Sequence, residues 1–372
     1  MIARIFPVIV AAAGVIVAVA AGTQTTRADE EKILNVYNWS DYIAEDTVAN
    51  FTKETGIKVH YDVYDSNEVL EAKLLAGHSG YDVVVPSAAP YLARQASSGV
   101  YRKIDKASLK NYGNLDRQIL EAAANADPGN QFGVPYMWGT TGFGYNRGQV
   151  KKALGDAAPL DSSALIFDPA NAKKLGACGI ELLDSAQELF PAALAYLHAD
   201  PLSRTQADLD RAAGVIQAIR PSVRKFHSSE YINDLANGDT CVAWGYSGDV
   251  VQARNRALDA KNGVDIGYTI PKEGAMIWID MMAIPADAPH PGNALKFIDY
   301  ILRPEVAAKI SDTVAYANPN QAATKLIDPK ISGDPNIYPS QEVRARLFFD
   351  KPVTPQYERL RTRAWTRIKT GQ

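Results

Sequence analysis

From residue 32 onward the apolar positions of this chain switch repeatedly between two periods, and the switches predict alternating strands and helices. Leu34 and Val36 fall on one face of a short strand that breaks at Trp39-Ser40-Asp41-Tyr42. Val48, Phe51, Thr52 and Thr55 then recur at helical spacing up to Gly56, which predicts a helix over 45–55. Residues 57–63 alternate like a strand. Ser66 is placed to cap a helix that runs to Leu75 and stops at Gly77, and 81–85 is a buried-strand run closed by Pro86-Ser87. Strand, helix, strand, helix and strand in one stretch make a parallel α/β unit. Its strand ends, at Trp39 to Tyr42 and at Ser87, should face one crevice.

A Gly- and aromatic-rich passage over 132–146 interrupts the alternation and reads as a strand crossing between two lobes. The pattern then resumes. Leu182-Leu183-Asp184-Ser185 leads into a helix holding Glu188, Leu189, Phe190, Leu194 and Leu197, followed by helices over 204–219 and 231–237. A strand over 241–244 ends at Gly245-Tyr246-Ser247-Gly248-Asp249, and 264–270 and 275–284 read as further strands. Helices are predicted over 294–302, 305–311 and 342–349. With 372 residues the chain exceeds what one core usually organises, so two lobes are expected.

Composition adds an address and excludes some partners. Arg4, an apolar run from Ile5 to Gly22, and the triplets Ala18-Val19-Ala20 and Thr26-Arg27-Ala28 form an export-signal pattern over 1–28, with a retained N-terminal anchor as the alternative. No Cys follows the run, against a lipoprotein. An exported protein with two cysteines, Cys178 and Cys241, most simply carries one disulfide; two buried free thiols are the alternative. The net charge of −3, without a basic cluster interleaved with aromatics, argues against a nucleic-acid partner.

The candidate chemistry is acidic and aromatic. Asp41 stands between Trp39 and Tyr42, a combination that suits an organic ammonium: the carboxylate pairs the charge while the ring faces attract it. The plainer reading is a core Trp and a helix-capping Asp. The same pairing recurs as Glu188 with Phe190, Asp249 with Tyr246, and Asp280 with Trp278. Four carboxylates in one cleft would repel each other unless a cation sat among them. Enzymatic patterns fare worse. Gly245-Tyr246-Ser247-Gly248 misses the G-x-S-x-G elbow because its second glycine comes one residue early. The five histidines are scattered without metal spacing, no phosphate loop is present, and neither metal nor cofactor is expected. A carboxylate-pair glycoside hydrolase stays open as an alternative.

Several blocks carry a family resemblance: Tyr37-Asn38-Trp39-Ser40-Asp41-Tyr42-Ile43, Val85-Pro86-Ser87, Asp234-Leu235-Ala236-Asn237-Gly238-Asp239, Gly248-Asp249-Val250, Pro271-Lys272-Glu273-Gly274-Ala275-Met276 and Tyr316-Ala317-Asn318. In that order they resemble the polyamine-binding periplasmic proteins of bacterial ABC importers, the putrescine-binding branch above all. The resemblance implies a two-lobed α/β fold with a hinge and an interlobe ligand cleft, with lobes of 32–136 plus 252–304 and 137–251 plus 305–372. It implies a monomer that receives a polyamine in the periplasm and delivers it to an inner-membrane permease. Trp39, Tyr42, Tyr246, Trp278 and Tyr316 would line the methylene chain. Asp249 and Asp280 would hold one ammonium, with Ser40, Asp41, Ser87 and Glu188 along the remainder of the cleft. The similarly placed cysteines of that branch imply the Cys178 to Cys241 disulfide. Two positions depart from the putrescine pattern. Tyr246 stands where Trp is usual and Trp278 where Phe is usual, the latter as in spermidine-preferring relatives. Putrescine is the expected ligand, with spermidine the alternative.

Overall fold

The computed structural model describes Met1 and residues 30–371; apart from Met1, the export segment expected over 1–28 lies outside the described residues. The described strands are β1 (Ile33–Trp39), β2 (Lys58–Tyr64), β3 (Val83–Val84), β4 (Gly133–Asn146), β5 (Ile180–Leu182), β6 (Val223–Phe226), β7 (Val242–Tyr246), β8 (Ile266–Thr269), β9 (Ala275–Ala283) and β10 (Leu347–Phe348). They join in the order β2-β1-β3-β9-β4-β7-β5-β6, with β8 on β4 and β10 on β9.

Two parallel units lie at the ends of this path. β1 runs parallel to β2 and β3, and β5 runs parallel to β6 and β7. Helices Thr47–Thr55 and Asn67–Leu75 make the first two crossovers. Gly56 ends the former at φ 72°, and the Ser66 hydroxyl caps the latter by accepting from the Val69 amide at 3.3 Å. Between the units β4 and β9 run antiparallel. The first half of β4, to Thr140, pairs with β9, and its second half, from Thr141, pairs with β7. One strand therefore belongs to both halves of the molecule, as the Gly- and aromatic-rich passage leads one to expect.

Each half has its own apolar interior, which makes this a two-lobed α/β fold. Leu34, Val36, Phe51, Val83, Met282 and Phe297 fill one, with Val84, Leu92, Ile279 and Met281 in a separate cluster of the same half. Phe143, Leu165, Ile180, Leu189, Trp244 and Val250 fill the other. Cys178 and Cys241 are joined by a disulfide across Cα atoms 5.5 Å apart, in the second lobe.

The C-terminal tail departs from the sequence expectation. The helix expected over 342–349 is only Gln341–Arg344, because Leu347 and Phe348 pair in parallel with Ala275 and Met276 of β9. Sheet pairing there outweighs local helical preference. A helix not anticipated, Pro355–Thr370, is capped by Thr354 and lays Tyr357, Ala364, Trp365 and Ile368 on the second lobe's core.

Candidate functional site

A cleft between the lobes gathers the ends of β1, β3 and β7 with the middle of β9. Its walls are Trp39, Ser40, Tyr42, Tyr64, Asp65, Asn67, Ser87, Glu188, Ser228, Ser229, Tyr246, Asp249, Trp278, Asp280 and Tyr316. It encloses about 470 Å³, solvent at the mouth included. The slot is narrow.

Aromatic rings line it in unbroken succession. Tyr64 meets Trp39 with ring centres 4.9 Å apart, Trp39 meets Tyr246 at 6.3 Å, Tyr246 meets Trp278 at 5.8 Å, Trp278 meets Tyr316 at 5.4 Å, and Tyr316 meets Tyr42 at 5.0 Å. Backbone and hydroxyl partners lock the rings. The Trp39 indole donates to the Val85 carbonyl at 2.8 Å, and the Trp278 indole donates to the Thr141 hydroxyl at 3.2 Å. Gly139, opposite Trp278 in the ladder, leaves room for that ring: a Cβ there would sit 2.8 Å from it.

Three buried carboxyl groups are set among these rings. Asp280, on β9, accepts from the Ser87 hydroxyl at 2.6 Å and the Tyr42 hydroxyl at 2.9 Å. Asp249, in the first turn of helix Ser247–Ala260, accepts from Tyr316 at 2.6 Å and Tyr231 at 2.7 Å. Glu188, in the first turn of helix Ala186–Tyr196, has a buried Oε2 without a hydrogen-bond partner. Burial pushes all three upward: Glu188 to about 8, Asp280 to about 7 against the pull of its Ser87 and Tyr42 donors, and Asp249 to about 6 against the pull of Tyr316 and Tyr231. Among the described residues no Lys, Arg or His lines the cleft. Buried carboxyls, two of them with donors already in place and none with a basic side chain among the described walls of the cleft, are poised for an external cation. A narrow aromatic slot around them suits an unbranched organic ammonium.

Asp41 stands outside this cleft. Its backbone is left-handed, φ 54°, and its carboxylate turns to Arg256 at 2.7 Å. The acid-aromatic pattern around Trp39 is thus split, with the ring in the cleft and the acid beside it. Tyr64, Asp65, Asn67, Ser228 and Ser229 line the cleft without having been singled out in the sequence. Asn67 carried the only structural signal, following the Ser66 cap; it donates to the Ser87 hydroxyl at 2.9 Å and accepts from the Ser87 amide at 3.0 Å. Ser228 and Ser229 sit in an irregular loop that no periodicity marks.

Comparison with known proteins agrees with this architecture. The chain is 54% identical to the putrescine-binding periplasmic protein PotF of Escherichia coli strain K12, over 97% of this chain and 96% of that one. It is 53% identical to the putrescine-binding periplasmic protein SpuD of Pseudomonas aeruginosa strain UCBPP-PA14, over 93% and 94% of the two chains. Among solved structures, the spermidine/putrescine ABC transporter substrate-binding protein PotD of Streptococcus pneumoniae strain Canada MDR_19A superposes with a TM-score of 0.72 at 26% identity, covering 92% of this chain and 99% of that one. The family model described as bacterial extracellular solute-binding protein matches residues 46–339, and the chain belongs to that family.

Proposed function

We propose that this protein is the periplasmic receptor of a bacterial ABC importer and that it binds a polyamine, putrescine in first place, and delivers it to the permease. One observation carries the reading: three buried carboxyl groups, Asp249, Asp280 and Glu188, share an aromatic slot that no basic side chain among the described residues lines. A linear diammonium supplies the missing positive charges, and its methylenes lie against the rings. Asp249 and Asp280 take one ammonium in this reading. Glu188 takes the other end, where its unpartnered Oε2 accepts directly or through water. Ser40, Ser87 and the rings of Trp39, Tyr42, Tyr246, Trp278 and Tyr316 complete the lining, and Asp41 acts from outside the cleft. The names of the relatives at 53% and 54% identity support both the ligand class and the periplasmic address.

The core clusters support a division of the chain that differs from the one expected in more than one segment. Ala253, Ala257, Ile266, Tyr268 and Ile270 pack with the second lobe, so we assign 252–270 to it and not to the first. Ala307, Ile310, Val314 and Ile331 pack with the first lobe, whereas Tyr357, Trp365 and Ile368 pack with the second. We therefore assign 305–340 to the first lobe and the last helix to the second. β4 and β9, paired along the boundary, are the segments about which the lobes would close.

Competition among putrescine, spermidine and the uncharged 1,4-butanediol, at one ionic strength, tests the reading. Putrescine should displace a bound fluorescent amine and the diol should not. Equal displacement by the diol would remove the carboxyl groups from recognition.

A further inference from the structure

The stretch Gly245-Tyr246-Ser247-Gly248-Asp249, which fails as a nucleophile elbow, has another use in the folded chain. Asp249 is 8% exposed, and each of its carboxylate oxygens accepts from a different phenol: Oδ1 from Tyr316 and Oδ2 from Tyr231. Each phenol oxygen in turn accepts a backbone N–H from the same short stretch. Tyr231 takes the Tyr246 amide at 3.0 Å, and Tyr316 takes the amide of Asp249 itself at 3.1 Å. A hydroxyl has one proton to give, and with an amide pointed at its oxygen that proton goes to the carboxylate. Both O–H bonds are thereby aimed at Asp249.

The two glycines make this arrangement possible. A Cβ on Gly245 would lie 2.4 Å from the Tyr231 ring, and a Cβ on Gly248 would lie 2.4 Å from the Tyr316 ring. Neither glycine has a positive φ, so the requirement is space and not backbone conformation. The roles of the two tyrosines then diverge. Tyr316 is a wall of the cleft. Tyr231, on helix Tyr231–Asn237, is fully buried and is not one of its walls. A residue that only filled this space would need the ring and not the hydroxyl.

Resting on the reading of the cleft as a polyamine site, we propose that Tyr231 is a positioning residue: its hydroxyl holds Asp249 ionised and oriented toward the ligand's ammonium, and Gly245 is glycine in order to admit its ring. The groups that face Asp249 are Tyr231, Tyr316, Tyr42 and Tyr246, with Asp41 and Arg256 farther out. Burial raises the Asp249 carboxyl and the two phenols lower it, so loss of one phenol must raise it further.

The test uses Tyr231→Phe in the full chain, with two readouts. In ligand-free protein, the carboxyl carbon-13 shift of Asp249 should titrate with a midpoint about one pH unit above wild type. Putrescine affinity at pH 7 should fall on the order of tenfold, and the deficit should shrink at pH 9, where Asp249 is ionised in both proteins. Gly245→Ala, which displaces the ring while keeping the hydroxyl, should move both readouts the same way and carries the test if Tyr231→Phe does not fold. An unmoved Asp249 midpoint would overturn the proposal. Wild-type protein that binds no diamine would instead overturn the reading of the cleft, while the Asp249 midpoint would still decide the role of Tyr231.

Discussion

Asp41 accepts a hydrogen bond from Arg256 at 2.7 Å, and the pair joins the two lobes beside the cleft instead of inside it. Asp41 follows β1, whose side chains fill the first core, whereas Arg256 rises from helix Ser247–Ala260, whose Val250, Ala253 and Ala257 pack in the second. Arg256 also donates to Asn233 at 2.7 Å, which fixes its fork. Both charged side chains are more than a third exposed, so the pair is worth no more than about 1 kcal/mol. Asp41→Asn should therefore weaken putrescine binding by less than about tenfold, chiefly through faster dissociation, and the effect should fade at high salt. A loss of a hundredfold or more in stopped-flow and equilibrium binding would mean that Asp41 touches the ligand.

Asp280 is the opposite case. It is buried, holds two hydroxyl donors, and faces the slot. Asp280→Asn keeps one acceptor oxygen for Ser87 or Tyr42, turns an NH2 donor toward the other hydroxyl oxygen, and carries no charge. Binding should lose about 2 to 5 kcal/mol, as when one partner of a buried charge pair is removed. Ligand-free stability at pH 8 should not fall, since the substitution removes a carboxylate whose charge is costly there. Calorimetric titration and thermal unfolding of the same sample check both halves of this prediction.

The raised carboxyls also fix a pH dependence. A carboxyl whose folded pKa lies above its unfolded value binds more protons when folded, so its contribution to stability is complete below the unfolded value and is lost as pH rises through the folded one. With Asp249 at about 6, Asp280 at about 7 and Glu188 at about 8, the window for ligand-free protein runs from about pH 4 to 8. A bound diammonium reverses the preference by favouring the charged forms. The rise in unfolding temperature on adding saturating putrescine should thus be larger at pH 8 than at pH 5.5. An equal rise at both would show that these groups do not meet the cation.

Ligand length is the point at which the walls matter most. Trp278 presents a larger face than Phe, and its ring meets both Tyr246 and Tyr316. Trp278→Phe should widen the slot locally and shift the ratio of spermidine to putrescine affinity. A ratio unchanged within about threefold, or roughly 0.6 kcal/mol, would remove this position from length discrimination.

Much of this was legible in the sequence because it rests on local rules. The turn from β1 into Trp39-Ser40, the Ser66 cap and the Gly56 stop are short-range signals, and the structure places them where the spacing does. The length of β4 was legible as well, through its glycines and aromatics. What escaped depends on distant partners. Asp41 reads as a cleft acid until Arg256, 215 residues away, is seen to claim it. Leu347 and Phe348 look helical until β9 offers them an edge. Tyr231 gives no sign in its own helix of the carboxylate that it holds. The Pro355–Thr370 helix is a different kind of miss. Thr354, Pro355 and Gly371 mark its ends, and Tyr357, Arg361, Ala364, Trp365 and Ile368 mark its buried face.

The measurement closest to the central claim is calorimetric titration of refolded, ligand-free protein with putrescine at pH 7 in two buffers of different ionisation enthalpy. If the ammonium groups settle among Asp249, Asp280 and Glu188, binding must be one to one and must release protons, because part of that carboxyl population is protonated before the ligand arrives. The apparent enthalpy should then differ between the buffers at pH 7, and the proton release should fall as pH rises past about 8, where the carboxyl groups are already ionised and the ligand is still a diammonium. Absence of binding, or binding whose enthalpy is the same in both buffers at pH 7, would contradict the account.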